Sequence, residues 1–364
     1  MNPYDFVPLA DEVRREAPAM HHRFQQHVGT LRCRLTALTP VFIPATQAAG
    51  NTERFIVCQY TGLPVIPGSS LKGVIRCVAE AISPSCIGLS GELFDHCGTL
   101  EGDYRGTIST DFATCKSATK LCPSCRLFGM VSSQSHFLGK IAIGEARTQK
   151  GKFKVAQKMI LKPLMNPRPH HTAFYLPNHR VAGRKFYFHH LSPKTTIQPT
   201  EYTKTVYPLA GLDAAGQPQT TFEFDVGFSN LTDDEYSILL FALFLTDEMR
   251  HKVGSGKPLG LGSVRIEPVE IRPVDGSQRY KGLARRLEAA APTDESALTG
   301  ERLKEHIEEI TRPIVVHPSK RVEALRRIWQ YPPATNADGS PVDYQYPERA
   351  WFDKNSDTPL SQTP

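Results

Sequence analysis

Between Ala146 and Thr200 the sequence has no aspartate or glutamate, although eleven lysines and arginines fall there. A stretch this long without acids cannot balance its own charge, so its natural counterion is a polyanion. Long apolar runs are absent too: no window of about 18 apolar residues occurs, which excludes an ordinary membrane-spanning helix. The opening MNPYDFVPLADEVRREAP lacks the basic-then-apolar order of a secretory signal, so a cytoplasmic location is expected. Apolar residues make up 40% and charged residues 22%, a balance that excludes disordered and fibrous classes. The 364 residues suffice for two domains, or for one core carrying large insertions. The net charge of +6 and the pI near 8.8 are modest, so the distribution of charge says more than its sum.

Histidines and aromatic rings are interleaved with the cations in LKPLMNPRPHHTAFYLPNHRVAGRKFYFHH. Cations neutralise phosphates and flat rings stack on unpaired bases, so the mixture suits single-stranded nucleic acid. The competing reading is a solvated basic insertion with no ligand.

Without a secretory signal, the eight cysteines are not expected to form disulfides. Cys122 and Cys125 form CPSC, whose two-residue spacer lets one turn present two thiolates to a tetrahedral metal. Cys115 and Cys97 precede it, separated by a polar, Gly-rich stretch too poor in apolar residues to bury a core of its own. A structural zinc on Cys97, Cys115, Cys122 and Cys125 is therefore expected, with His96 a possible substitute for Cys97. A redox role for CPSC competes, but the βαβ context it needs is not evident. Cys33, Cys58, Cys77 and Cys86 lie mostly among apolar residues and read as small core residues.

Thr30–Phe42 alternates as a half-buried strand should. In VIPGSSLKGVIRCVAEAI, Pro67-Gly68 breaks the chain and Ser69 or Ser70 can cap a helix. Leu71, Val74, Ile75, Val78 and Ile82 recur at helical spacing on its buried face. Lys72 and Arg76, four apart, share another side. GKIAIGEAR is strand-like, TFEFDVGFSN alternates, TDDEYSILLFALFL opens with capping residues, and VRIEPVEI closes the core as a strand. Beyond Pro273, helices are expected near Arg279–Ala290, Leu303–Ile310 and Arg321–Trp329, before a Pro-rich end. The two strand–helix–strand units suggest a ferredoxin-like duplication.

Two loops could approach a ligand. A helix start at Pro67–Leu71 offers free N–H groups and a positive dipole end, with Ser69, Ser70 and Lys72 as added donors. The glycines of Gly254–Gly262, GSGKPLGLG, would let backbone come close to a ligand. This is no Walker loop, because its Gly-Lys is not followed by Ser or Thr and its helix precedes it.

Taken in order, GLPVIPGSSLKGVIR, CRLFG and GSGKPLGLGSV resemble the RAMP superfamily of CRISPR-associated proteins, most of all its backbone ("Cas-seven") subunits of type III and related effectors. YDFVPL and GRKFYFHH are similar to one branch of it, and the likeness covers roughly residues 1–272. The resemblance implies an α+β fold: a modified ferredoxin-like (RRM-like) palm with an inserted thumb β-hairpin and a zinc-binding insertion, as in type III-D-like and type VII-like subunits. It divides the chain into 1–85, the first half of the core with the guide-RNA helix, and 86–126, the zinc insertion. A core strand and basic thumb insertion at 127–200, the second core half at 201–272 and a peripheral tail at 273–364 complete it. It further implies that Ser69, Ser70, Lys72 and Arg76 hold the guide-RNA backbone, beside Gly256, Lys257 and Gly260. Arg126 and, in the basic segment, Lys152, Lys154, Lys158, Arg184 and Lys185 join the RNA-binding candidates. The implied partners are crRNA, complementary target RNA, copies of the chain in a filament, and other Cas subunits including a small end-capping subunit and a separate nuclease.

The sequence departs from the family at one place. Subunits that cut target RNA carry an aspartate in the loop before TGLP; here that loop reads IPATQAAGNTERF, with Thr52 where the acid is expected and Glu53 adjacent. A carboxylate can bind a metal or orient water, so Glu53 is a weak catalytic candidate. A subunit without nuclease activity of its own is the expectation. The alternatives are target cleavage through Glu53 and a guide-processing ribonuclease using His21, His22 or His27.

Overall fold

The computed structural model describes residues 1–21, 27–45, 52–87, 112–133, 135–164, 172–175, 177, 181–196, 198–274, 297–347, 349–355 and 358–360. Its largest sheet is seven-stranded. β2 (His27–Ala37), β12 (Thr221–Leu231) and β14 (Ser263–Pro273) are its long members, joined by β4 (Val65–Ile66), β7 (Ile141–Ile143), β8 (Ala146–Arg147) and β13 (His251–Lys252). β2 lies between β14 and β12, antiparallel to both, and β7 and β8 pair with the far edge of β12. Helix α1 (Gly68–Ile82) separates β2 from β7, and helix α3 (Asp233–Phe244) separates β12 from β14. The order β14–β2–β12–β7/β8 is the 4-1-3-2 order of a ferredoxin-like fold, as the paired strand–helix–strand units predict.

Alternation in β2 sends Leu31, Cys33 and Leu35 into the core, where α1 and α3 cover the sheet. Thr232 caps α3 and completes a capping box with Glu235. The opposite face is open. Its outward positions on β2 and β12 carry Thr30, Arg32, Arg34, Glu223, Asp225, Gly227 and Ser229, none of them aromatic. Arg32 pairs with Asp225 and Arg34 with Glu223 across the strands. A face without rings cannot stack bases in the way of an RRM sheet.

β2 stops at Ala37, short of the expected Phe42, because Leu38 and Thr39 turn away to donate to the Ser263 carbonyl ahead of Pro40. GKIAIGEAR is two short strands split at Gly144, whose N–H bonds Asp225 O. The basic segment divides between sheets. β9 (Met159–Leu161) joins β11 (Lys204–Tyr207) and β3 (Thr52–Arg54), while β10 (Arg184–Tyr187) pairs with β1 (Tyr4–Val7). Among the described residues of this segment, then, no strand pairs with another as a single long hairpin would require. β5 (Gly129–Val131) and β6 (His136–Leu138) make a small hairpin after helix α2 (Pro123–Phe128). In the tail, α4 (Gly300–Val316) runs past Ile310 despite Pro313, and α5 (Lys320–Trp329) buries Val322, Leu325, Ile328 and Trp329. The helix expected near Arg279–Ala290 lies outside the described residues.

Candidate nucleic-acid interface and metal centre

Helix α1 begins at Gly68, two or three residues earlier than a Ser69 or Ser70 cap would allow. Pro67 takes the N-cap and no side chain caps the end. Gly68 sets this start, since a Cβ there would strike the Ile143 carbonyl. Ser69 and Ser70 therefore lie in the first turn, Ser69 exposed and no acidic residue intruding, although the Ser70 N–H already donates to the Pro67 carbonyl at 2.9 Å. Leu71, Ile75, Val78 and Ile82 point inward, while Lys72 and Arg76 are half-buried and Gly73 is exposed. Lys72 is held below the ordinary lysine range by partial burial and by Arg76. An anion between the two cations would relieve both effects.

The glycine-rich loop requires a correction. Gly256 and Gly260 are buried, with φ of +74° and +94°, and the space a side chain would need is already filled. Leu261 lies 3.2 Å from where a Cβ would stand on Gly256, and His190 and Ser192 lie 3.0 Å from one on Gly260. These glycines serve the loop's own turns and packing, and they do not open backbone to a ligand. Beneath the loop, buried Lys252 donates to the carbonyls of Lys257 and Leu261 at 3.0 and 3.3 Å. Burial, with a smaller contribution from Lys257, pulls its ammonium down to about 7. Lys257 remains half-exposed and sits within electrostatic reach of Cys77 on α1, so loop and helix do converge there.

Three other candidates are engaged within the protein. Arg126 is buried between Glu16 at 2.8 Å and Glu235 at 2.9 Å, and Glu235 also takes Lys140 at 2.7 Å. A guanidinium committed to two carboxylates cannot also grip a phosphate, so Arg126 is structural. Arg184 bonds Glu80 and the carbonyls of Ser85 and Cys86. Lys185 lies 3.7 Å from the Tyr4 ring centroid and 3.0 Å from Tyr175 Oη; burial lowers it to about 8. By contrast Lys152, Lys154 and Lys158 are exposed, and no described carboxylate pairs with them. Glu53 lies on β3, 2.6 Å from Lys204 Nζ, with its side chain only 14% exposed; Thr52 precedes it. His21 stacks on Phe137 and donates to the Leu138 carbonyl, and His27 pairs with Asp233 at 2.7 Å against Tyr236. His22 lies outside the described residues.

The thiols also regroup. Cys86, Cys115, Cys122 and Cys125 are buried with their sulfurs all within 4.8 Å of one another. Cys86, read from the sequence as a core residue, is thus the fourth member. Cys97 and His96 lie outside the described residues, and four thiols already complete a tetrahedral set. Cys86 Sγ is 3.6 Å from Cys122 Sγ and 3.7 Å from Cys125 Sγ. These distances are too long for disulfides. They match the edge of about 3.8 Å that a tetrahedron with metal–sulfur bonds of about 2.3 Å would have. The N–H of Cys122 donates to Cys115 Sγ at 3.3 Å, and Cys122 itself is held low by the surrounding thiols of Cys115, Cys125 and Cys86. The donor set therefore fits a thiophilic divalent ion. A usable signal was present: Pro84-Ser85-Cys86 repeats the Pro123-Ser124-Cys125 triplet.

Outward positions on β2 and β12 without rings, a helix start free of acids, and Lys152, Lys154 and Lys158 without a carboxylate partner among the described residues are what the candidate interface offers. No curated protein matches the chain. A family model described as the RAMP superfamily matches residues 34–265, nearly two thirds of the 364, from within β2 to within β14. The chain belongs to the RAMP superfamily, a group of CRISPR-associated RNA-binding subunits.

Proposed function

We propose that the chain is a backbone subunit that holds guide RNA through its phosphates and presents it for pairing with target RNA, without cutting that target itself. The observation that carries this reading is the set of exposed lysines Lys152, Lys154 and Lys158 in a stretch free of acids. Ser69, Ser70, Lys72 and Arg76 on α1 would grip the same strand, with Lys257 beside them. Backbone contacts serve any guide sequence, and base pairing then selects the target. The segment 153–187 stands as the thumb that separates neighbouring copies along the RNA. Zinc is the ion assigned to Cys86, Cys115, Cys122 and Cys125, where it would tie residues 112–125 to the end of α1. Other Cas subunits, an end-capping subunit and a separate nuclease complete the assembly. The ion pair from Lys204 to Glu53 supports a structural use of that carboxylate.

Dissociation constants for a fluorescent single-stranded RNA over a salt series test the grip. The logarithm of the association constant should fall linearly with log salt, by about 0.7 per phosphate neutralised. Lys152→Ala, Lys154→Ala and Lys158→Ala together should flatten the slope, and an unchanged slope rejects the assignment. Complexes on guide RNA, given complementary RNA and Mg²⁺, should leave the target intact. Cuts at regular spacing that Glu53→Ala abolishes would overturn the non-cleaving reading.

A further inference from the structure

Glu80 occupies a position that neither the guide-grip reading nor the thiol cluster accounts for. It lies one turn after Arg76 on α1, near the helix end, and its side chain is only 12% exposed. Oε1 accepts from Arg76 Nε at 2.8 Å and from Ser124 Oγ at 3.4 Å. Oε2 accepts from Arg184 Nη1 at 2.9 Å. Arg184 in turn donates through Nη2 to the carbonyl of Cys86 at 2.7 Å and to that of Ser85 at 3.2 Å. Ser124 sits between Cys122 and Cys125, and its N–H donates to Ser85 Oγ at 3.1 Å. The two Pro-Ser-Cys turns of the thiol cluster are thus bonded to each other. Through Glu80 and Arg184 they are also bonded to the arginine that faces outward from α1.

Arg76 gains its orientation from this chain of bonds. Nε is fixed by Glu80, and Nη1 reaches the Gly129 carbonyl, directly after α2, at 3.4 Å. Two of the five N–H groups are used, which sets the plane of the guanidinium, and a third of the side chain stays exposed. A long cation held in one plane loses less rotamer freedom when it meets a phosphate. Of its two acceptors, Glu80 lies on α1 and is itself held by Ser124, between Cys122 and Cys125, and through Arg184 by the carbonyls of Ser85 and Cys86, so its place depends on the turns that carry the thiols.

We propose that Glu80 is a positioning residue that couples the four-thiol metal centre to the phosphate grip, so that metal loading orients Arg76 for RNA. The inference rests on the reading of Arg76 as an RNA contact. Its sign distinguishes it from a plain electrostatic role. A carboxylate merely near the RNA would repel phosphates, and its neutralisation would tighten binding; a positioning carboxylate gives the opposite result.

The test uses the full zinc-loaded chain and a fluorescent single-stranded RNA of mixed sequence. Affinity is measured over a salt series for wild type, Arg76→Ala, Glu80→Gln and the double variant, with circular dichroism to establish folding. Arg76→Ala should lower the salt slope by about 0.7 and weaken binding about tenfold near 0.1 M salt. Glu80→Gln should weaken binding in the same direction, and its effect should vanish in the Arg76→Ala background. Zinc removal by chelation should mimic Glu80→Gln in wild type and add little to Arg76→Ala. Binding by Glu80→Gln as tight as wild type, or tighter, overturns the coupling while leaving the Arg76 contact standing. A chelation effect of equal size with and without Arg76 overturns it as well. An Arg76→Ala chain that binds with unchanged slope removes the contact itself, and the coupling with it.

Discussion

Arg126 and Lys154 look alike in the sequence, both basic and both beside apolar residues, yet they have opposite fates. Arg126 is buried between Glu16 and Glu235, whereas Lys154 is exposed and pairs with no carboxylate among the described residues. Arg126→Ala should lower stability by about 3 kcal/mol, read as a shift in urea midpoint, because the buried Glu235 then keeps only Lys140. RNA affinity should stay within twofold; weaker binding at unchanged stability would return Arg126 to the interface. Sequence alone could not sort these residues, since the partners of Arg126 lie 110 positions before it and 109 after. The lysines were legible for the opposite reason. An acid-free stretch offers no local carboxylate, and Lys152, Lys154 and Lys158 stay exposed, whereas Arg184 of the same stretch finds Glu80 104 residues away. Glu53 shows the same limit, since the lysine that holds it comes from a strand 151 residues away.

At the level of elements, periodicity located α1, α3, β2, β12 and β14 because each buries one face against the same core. It failed where tertiary contacts overrule local preference. The start of α1 is set by the close approach of Gly68 to Ile143, and the glycine loop folds on itself around Leu261. The thiol cluster shows the same limit, for Cys86 lies 36 residues from Cys122 and joins it through the end of α1. Purified protein should contain one zinc per chain by metal analysis. Replacement with Co²⁺ should give thiolate charge-transfer absorption that Cys86→Ser weakens, whereas a spectrum indifferent to that change would exclude Cys86 as a ligand. Chelation should raise amide exchange across residues 112–125 and leave β2 and β12 protected.

Across the whole molecule, the second half of the core is tied together by buried neutral histidines. His189 bonds Ser263 Oγ and the Arg250 carbonyl, and His251 bonds the Ala242 carbonyl. Burial holds His251 down at about 4, against about 6.5 in the unfolded chain, and holds His189 well below the usual range. A base whose folded pKa is depressed stabilises the fold above its unfolded value. That contribution is lost as pH falls from about 6.5 toward 4. Unfolding midpoints should therefore drop over that interval, by roughly 3 kcal/mol for His251 alone, and His251→Gln should flatten the curve. A midpoint constant between pH 7 and 4.5 would show that the buried ring takes up its proton as readily as in the unfolded chain.

Glu235 belongs to the second strand–helix–strand half, where it closes the capping box of α3, yet both its cations, Arg126 and Lys140, come from the first. The halves resemble each other as a duplication would, but they are not interchangeable modules. A second half grafted onto a foreign first half would bury a bare carboxylate, so chimaeras within the superfamily should fold only when the donor of residues 127–147 supplies the matching lysine, and residue 126 the matching arginine.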